Sequence, residues 1–451
     1  MTLTASRPLT SRSAPEFIRD LRWADVPPAV AERVAWLLVD AAVAAELGCR
    51  VDAAAIIGDL AAECFGGNQA TSLLDGRRLS APGAALVNGT ILNAVDIDDG
   101  HSLAKGHPGA VVIAAALAVA ETTDADMEEF LTATLIGYEV AVRAALALHA
   151  RSAVFHSSGT WGAVGAAAAA GRLLGLDTRQ ISWALGHAEY TAPVDLIMRG
   201  VASPSMAKDA MGWAAHVGVT AAMLAQRGFT GHASEYEESV TTSDLGQRWQ
   251  VMEVYVKPYP CCRWAHPALD ATRLVLDELG DDLGPNTIRR IEIRTFAAAA
   301  ALNSAVPDSS EGAQFNLRWP VASMLAAGTF TMDSITTALT HPTARQLHEL
   351  VEVVVDDELS AAFPAVRGSR VSVELTDGRR STHRVERARG EADDPNWSEV
   401  IKDKAIEYLG AGDDDFPLRV TPPRSRLGHR PFLEVKSVLR HPLKRQIQGA
   451  S

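Results

Sequence analysis

The chain has 451 residues, 47% of them hydrophobic and 22% charged, with a formal net charge of -13. That balance predicts an ordinary globular protein long enough for two cores. It argues against broad attraction to nucleic acid or to an anionic membrane surface.

The four cysteines, Cys49, Cys64, Cys261 and Cys262, form no C-x-x-C pair, so neither a disulfide framework nor a structural zinc site is expected. Residues 1–15 are rich in Ser, Thr and Arg and lack an apolar core, which is not the pattern of a secretory signal. The longest apolar run, residues 109–120, is too short to span a bilayer at about 20 residues. The expected location is the cytoplasm, with no membrane partner.

Asp25-Val-Pro-Pro reads as a helix start, followed by Val30, Val34, Leu37, Leu38 and Ala41 at helical spacing. Further helices are predicted over 53–64, 81–95 and 108–122. Thr123-x-x-Asp126 resembles a capping box before a helix to about His149. Residues 161–174 are so rich in Ala and Gly that the helix must be closely packed and buried. Helices are also predicted over 178–189 and 206–226, the second ending at a left-handed Gly228.

The pattern changes after Pro267. A helix to about Leu279 precedes a strand over 287–295, a β-branched run over 350–355, and a hairpin in which Asp377-Gly378 joins 370–375 to a strand through Val385. Residues 387–396 read as loop, 397–409 and 432–439 as helices, and 303–313 as a Ser/Ala/Pro-rich loop. No internal repeat or low-complexity tract is apparent. The expected fold is mainly α: a large all-α domain over 1–264 and 396–451, and a smaller α+β lid over 265–395.

Four stretches concentrate the chemistry. The densest is Asp96-Ile-Asp-Asp-Gly-His-Ser-Leu-Ala-Lys-Gly-His-Pro108, with three carboxylates, two imidazoles and one ammonium between apolar segments. Such groups near low dielectric have tunable pKa values. The others are Phe155-His156-Ser157-Ser158, Arg199-Gly200 with Lys208-Asp209, and the turn from Lys257 to His266. Most of these end where a helix begins, and helix N-termini bind anions. Asp98 or Asp99 also suits a helix cap, and Cys261-Cys262 suits buried packing better than nucleophilic chemistry.

Taken together, Asn88-Gly-Thr, Asp96-Ile-Asp-Asp, His107-Pro, Gly137-Tyr-Glu, Phe155-His156, Gly175-Leu-Asp, Lys208, Gly228-Phe-Thr-Gly, Lys257-x-Tyr-Pro and Gln314-Phe-Asn-Leu-Arg-Trp-Pro resemble the MmgE/PrpD (2-methylcitrate dehydratase) family. That family also includes cis-aconitate decarboxylase and iminodisuccinate epimerase. The resemblance runs from about Phe17 to Leu409. It implies a helical domain with an α+β lid, a homodimer, and no metal or organic cofactor. It places the active site on Asp96, His107, His156, Lys208 and Lys257.

The implied chemistry is proton removal from carbon beside a carboxylate. His107 or His156 serves as base and the other as acid. Asp96 and Asp99 orient or charge-tune a histidine, and Asp99, His101, Arg199 and Arg263 form the substrate-binding set. Lys208, Lys257 and Arg263 hold the carboxylates of a small di- or tricarboxylate. The leading expectation is a hydro-lyase, with epimerase or decarboxylase next and a non-enzymatic helical binding protein last. The family commonly has Thr where this chain has Gly100, which marks that position as a point of departure.

Overall fold

The computed structural model describes residues 13–411, so the helix expected over 432–439 lies outside the described residues. The first part is helical. It runs α1 (Ala14–Asp20), α2 (Pro28–Gly48), α3 (Asp52–Cys64), a short pair β1 (Gly66–Thr71) and β2 (Arg78–Leu79), and α4 (Ala81–Asn93). Then come β3 (Gly100–His101), α5 (Pro108–Thr123), α6 (Met127–Arg151), α7 (Ser158–Leu173), α8 (Thr178–Thr191), α9 (Ile197–Ala202), α10 (Met211–Gln226) and β4 (Val254–Tyr255).

The remainder mixes helix and strand. It holds α11 (His266–Leu279), β5 (Ile288–Thr295), α12 (Ala297–Ala300), α13 (Ser310–Gln314), α14 (Arg318–Ala327), α15 (Pro342–Glu349) and β6 (Val351–Val355). It closes with α16 (Asp357–Ala362), β7 (Ser369–Leu375), β8 (Arg380–Val385) and α17 (Trp397–Leu409). The molecule is mainly helical.

Local chemistry sets the helix ends. Prolines occupy the first turn of α2, α4, α5, α11 and α15, where a missing N–H costs no helical bond. Asp177 and Gln180 form a reciprocal capping box at the start of α8. The box expected from Thr123 does not form. Thr123 is the last residue of α5 and its hydroxyl donates back to the Val119 carbonyl. Asp126 alone caps α6, accepting from the Glu129 N–H at 2.8 Å.

Helix α7 packs among α5, α6, α8 and α10. Small residues allow this. A Cβ on Gly165 would lie 2.5 Å from the Ala141 Cβ and 2.7 Å from the Gly137 carbonyl oxygen, so only glycine permits α6 and α7 to approach this closely. Among the described residues α6 is the one helix long and apolar enough to cross a membrane; 89% of its apolar window is buried within the fold.

The Gly137-Tyr138-Glu139 motif divides its work. Gly137 admits α7, Tyr138 reaches the candidate site, and Glu139 accepts from the Gln250 and Val251 N–H groups at 3.1 and 2.9 Å. Arg143 completes a buried ion pair with Glu139 at 2.5 Å.

The four-stranded sheet has the order β6-β5-β7-β8, with β5 and β6 parallel and the other neighbours antiparallel. Helix α11 packs on β7 and β8. The Asp377-Gly378 turn forms as expected, with Gly378 at φ 91. The segment expected as loop over 303–313 is partly helical, since Ser309 caps the buried turn α13.

Helix α17 returns to pack on α2. There the Lys404 ammonium pairs with Asp40, both buried, and also donates to the Ile97 carbonyl at 3.3 Å.

Candidate active site

The loop from α4 to α5 builds the centre. Asp96 adopts a left-handed φ of 55, an uncommon conformation outside glycine. This turns its carbonyl and carboxylate toward two lysines from distant segments. Lys257 donates to the Asp96 carbonyl at 2.6 Å and stands 3.3 Å from Oδ2. Lys208 stands 3.4 Å from Oδ1 and donates to the Asn93 carbonyl at 2.6 Å and Gln314 Oε1 at 2.7 Å.

Burial pushes the Asp96 carboxyl up, but Lys208, Lys257 and His107 outweigh it and hold the group well below the usual range. Burial likewise lowers Lys257, and Asp96 and Asp98 more than restore it, so it stays a cation. Asp98 accepts from Asn93 Nδ2 at 3.0 Å and lies 3.8 Å from Lys257.

His107 is the residue just before α5. Its N–H donates to Ser158 Oγ at 3.0 Å, and Ser158 donates to Asp209 Oδ2 at 3.1 Å. Its Nδ1 lies 2.7 Å from the Asp99 carbonyl oxygen. A carbonyl only accepts, so Nδ1 carries the proton and Nε2 keeps its lone pair in the neutral ring. Nε2 is 3.8 Å from Asp96 Oδ1.

The Asp99 side chain faces away from the cavity. It accepts from Tyr138 at 2.5 Å and from the Gly109 N–H at 3.0 Å. It thus caps α5, the bland role the sequence allowed. Burial raises its carboxyl to about 7, with Tyr138 and Gly109 opposing.

A cavity of about 60 Å³, room for a few ordered waters, opens beside His107. Its polar lining includes Asp96, Lys105, His107 and Asp209. Tyr255, Cys262, Arg263, Trp264, Phe315, Phe363 and Arg367 also line it. Lys105, at φ 58, sets its ammonium 3.8 Å from the Phe155 ring centroid, and burial lowers its pKa. Burial raises the Asp209 carboxyl. Cys262 touches the cavity, but burial pushes its thiol up to about 12, which fits packing rather than attack.

Of the expected residues, Asp96, His107 and Arg263 line the cavity, Lys208 and Lys257 meet Asp96 without lining it, and His156, Arg199, His101 and Asp99 also lie outside the lining. His156 sits in an extended bridge with Leu196, so its side chain points opposite to that of Phe155. Phe155 lines the cavity, and His156 stacks on His149 with ring centroids 6.1 Å apart. Arg199 lies in the short helix α9 with its side chain 79% exposed, paired with Asp195. His101 accepts from the Ala104 N–H at 3.1 Å, and burial lowers its pKa to about 3. Asp99 acts through His107 rather than on the cavity.

The lysines also differ from expectation. They neutralise Asp96 in place of a substrate carboxylate. Lys208 precedes α10 by three residues, at φ 41, rather than opening that helix. The sequence places Asp209 in a chemistry-bearing stretch without giving it a role, and it does not single out Tyr255 or Arg367, which carry no local signal. Among the described residues no cluster of three or more His, Cys, Asp or Glu is arranged to hold a metal ion.

Buried acid–base groups around a small cavity, on a mainly helical scaffold, define an enzyme-like site. Residues 13–242 match the MmgE/PrpD N-terminal domain and residues 259–412 the MmgE/PrpD C-terminal domain. The chain belongs to the MmgE/PrpD family. It is similar to a cis-aconitate decarboxylase-like protein of Aspergillus oryzae, at 25% identity over 90% of this chain and 92% of that one. It is also similar to the cis-aconitate decarboxylases of Aspergillus terreus (23% identity, 87% of each chain) and Homo sapiens (26%, 72% of each).

Proposed function

We propose that this chain is a lyase that moves a proton at carbon beside a carboxylate of a small di- or tricarboxylate, with His107 as the base. The observation that carries this reading is the fixed tautomer of His107. Its Nδ1–H is committed to the Asp99 carbonyl at 2.7 Å, so Nε2 is left as the proton acceptor beside the cavity.

Asp96, clamped between two ammoniums, stays ionised near Nε2 and favours the imidazolium that forms. Negative charge grows on the substrate carboxylate as the C–H bond breaks. Lys105 lines the cavity and is the cation suited to meet it. Asp209, with its carboxyl raised by burial, is the acid that delivers a proton to a leaving hydroxide.

A second reading, decarboxylation, is favoured by the names of the relatives. There the C–C bond to the carboxylate breaks, CO2 leaves, and the electron pair left on carbon takes a proton from the site.

One experiment separates these. The protein is incubated in D2O with a panel of di- and tricarboxylates and followed by NMR. Elimination gives a new alkene with loss of water, and decarboxylation gives deuterium at carbon with release of CO2. A folded protein that exchanges and converts nothing across a broad panel ends both readings.

A further inference from the structure

Two arginines reach the cavity, and their hydrogen bonding separates them. Arg263 is occupied: Nη1 donates to the Val256 and Arg389 carbonyls at 3.3 and 2.8 Å, and Nη2 to the Ala388 carbonyl at 3.1 Å and Glu391 Oε1 at 2.9 Å. Arg367 uses only Nη2, toward Ser102 Oγ and Glu391 Oε1. Among the described residues no protein group accepts from its Nε or Nη1. Its side chain is 10% exposed, and it lines both the inner cavity and an adjoining outer cavity of about 360 Å³. A guanidinium with free donors at the join of two spaces is placed to meet an incoming anion.

The base on which it rests is an aromatic ring. The Tyr255 ring has the Arg263 guanidinium 4.9 Å from its centroid and the Arg367 guanidinium at 5.0 Å. Tyr255 is the cross-strand partner of Gly100. A Cβ on Gly100 would lie 2.4 Å from both Cζ and Oη of Tyr255. The missing side chain at Gly100 is therefore the space that the phenol fills, and a Thr there would collide with it. Gly100 admits Tyr255, and Tyr255 with Glu391 and Ser102 holds Arg367 at the opening.

We propose that Arg367 is the carboxylate receptor of this site. It exchanges Ser102 for a carboxylate remote from the reacting carbon and so selects substrates with at least two carboxylates. This assignment rests on the function proposed above, and its test is a binding measurement that does not need turnover.

The probe is tricarballylate, a tricarboxylate with no hydroxyl to eliminate, titrated calorimetrically into the full chain. Arg367→Gln is expected to weaken binding at least about 30-fold, as for the loss of one partner of a buried charge pair. Arg367→Lys falls between, since it keeps the charge and loses the planar fork. Ser102→Ala, which frees the guanidinium, binds at least as tightly as the unchanged chain.

A merely structural latch predicts the opposite for Ser102→Ala, a loss like that of Arg367→Gln. That result overturns the proposal, as does Arg367→Gln binding within about three-fold of the unchanged chain. Absence of tricarballylate binding at millimolar concentration overturns it too. Thermal unfolding checks that Arg367→Gln is folded; if it is not, Arg367→Lys carries the test. His107→Asn should lose proton transfer and keep tricarballylate. If no acid exchanges deuterium while Arg367→Gln still loses the probe, the proposed reaction fails and the receptor stands.

Discussion

The backbone carbonyl of Asp99 holds the Nδ1 proton of His107 at 2.7 Å, while Asp99's own carboxyl is tied at 2.5 Å to the Tyr138 hydroxyl of α6. One residue thus fixes the tautomer of His107 and couples it to a buried helix. His107→Asn is expected to lower turnover by about 100-fold or more, the usual worth of a positioned base, with the unfolding midpoint little changed. Tyr138→Phe, which only loosens Asp99, should cost less than about tenfold in kcat. Equal losses in the two variants would remove the distinction between base and positioning residue.

Stability should fall with pH because of Asp99. Its folded-state pKa, raised by burial to about 7, exceeds the ordinary value of 3.8. The folded state therefore binds the proton more tightly, and stability from this group is full below 3.8 and lost as pH rises to about 7. Asp99→Asn keeps a carbonyl for Gly109 and cannot ionise. Denaturant titrations across that window should show the native chain losing stability relative to Asp99→Asn. Parallel curves would mean that Asp99 is ionised in the fold throughout.

Asp96→Asn leaves the ammoniums of Lys208 and Lys257 buried without their carboxylate. The expected cost is about 3–5 kcal/mol by denaturant unfolding, as for the loss of one partner of a buried pair. Lys257→Met, which leaves Asp96 with Lys208 as its remaining ammonium, should also destabilise the fold. A loss below about 1 kcal/mol in both, the level of exposed pairs, would show that these charges are far better solvated than their burial implies.

Gly165→Ala forces a methyl against Ala141 and the Gly137 carbonyl, and should cost about 1–3 kcal/mol through overpacking of α6 on α7. Gly100→Ala should cost a comparable amount in the native chain and much less when Tyr255 is replaced by Ala. A double-mutant cycle on unfolding free energy reads the coupling directly. Additivity would contradict the steric pairing of Gly100 with Tyr255.

The sequence made the centre of the site legible because its charges are contiguous. Asp96, Asp98 and His107 occupy one loop between apolar helices, and prolines at 28, 108 and 267 announce helix starts. Periodicity also found β5, β7, β8 and their turn. What it could not see was direction. His156 follows Phe155 in extended backbone, and one-residue alternation decides which of the two meets the cavity. Lys208 lies in a left-handed turn that helical spacing cannot register. Arg367 and Tyr255 enter from segments more than 100 residues apart, and Tyr255 fits only because Gly100 has no side chain.

Helix α17 lies at the far end of the described chain, yet Lys404 neutralises Asp40 and holds the Ile97 carbonyl directly behind Asp96 and Asp98. The back wall of the site therefore depends on a residue synthesised 307 positions after Ile97. A nascent chain shorter than about residue 404 has Asp40 without its counter-ion and the Asp96 loop without its rear support. A fragment released before Lys404 is made therefore carries the Asp96 loop without the cation that braces it from behind.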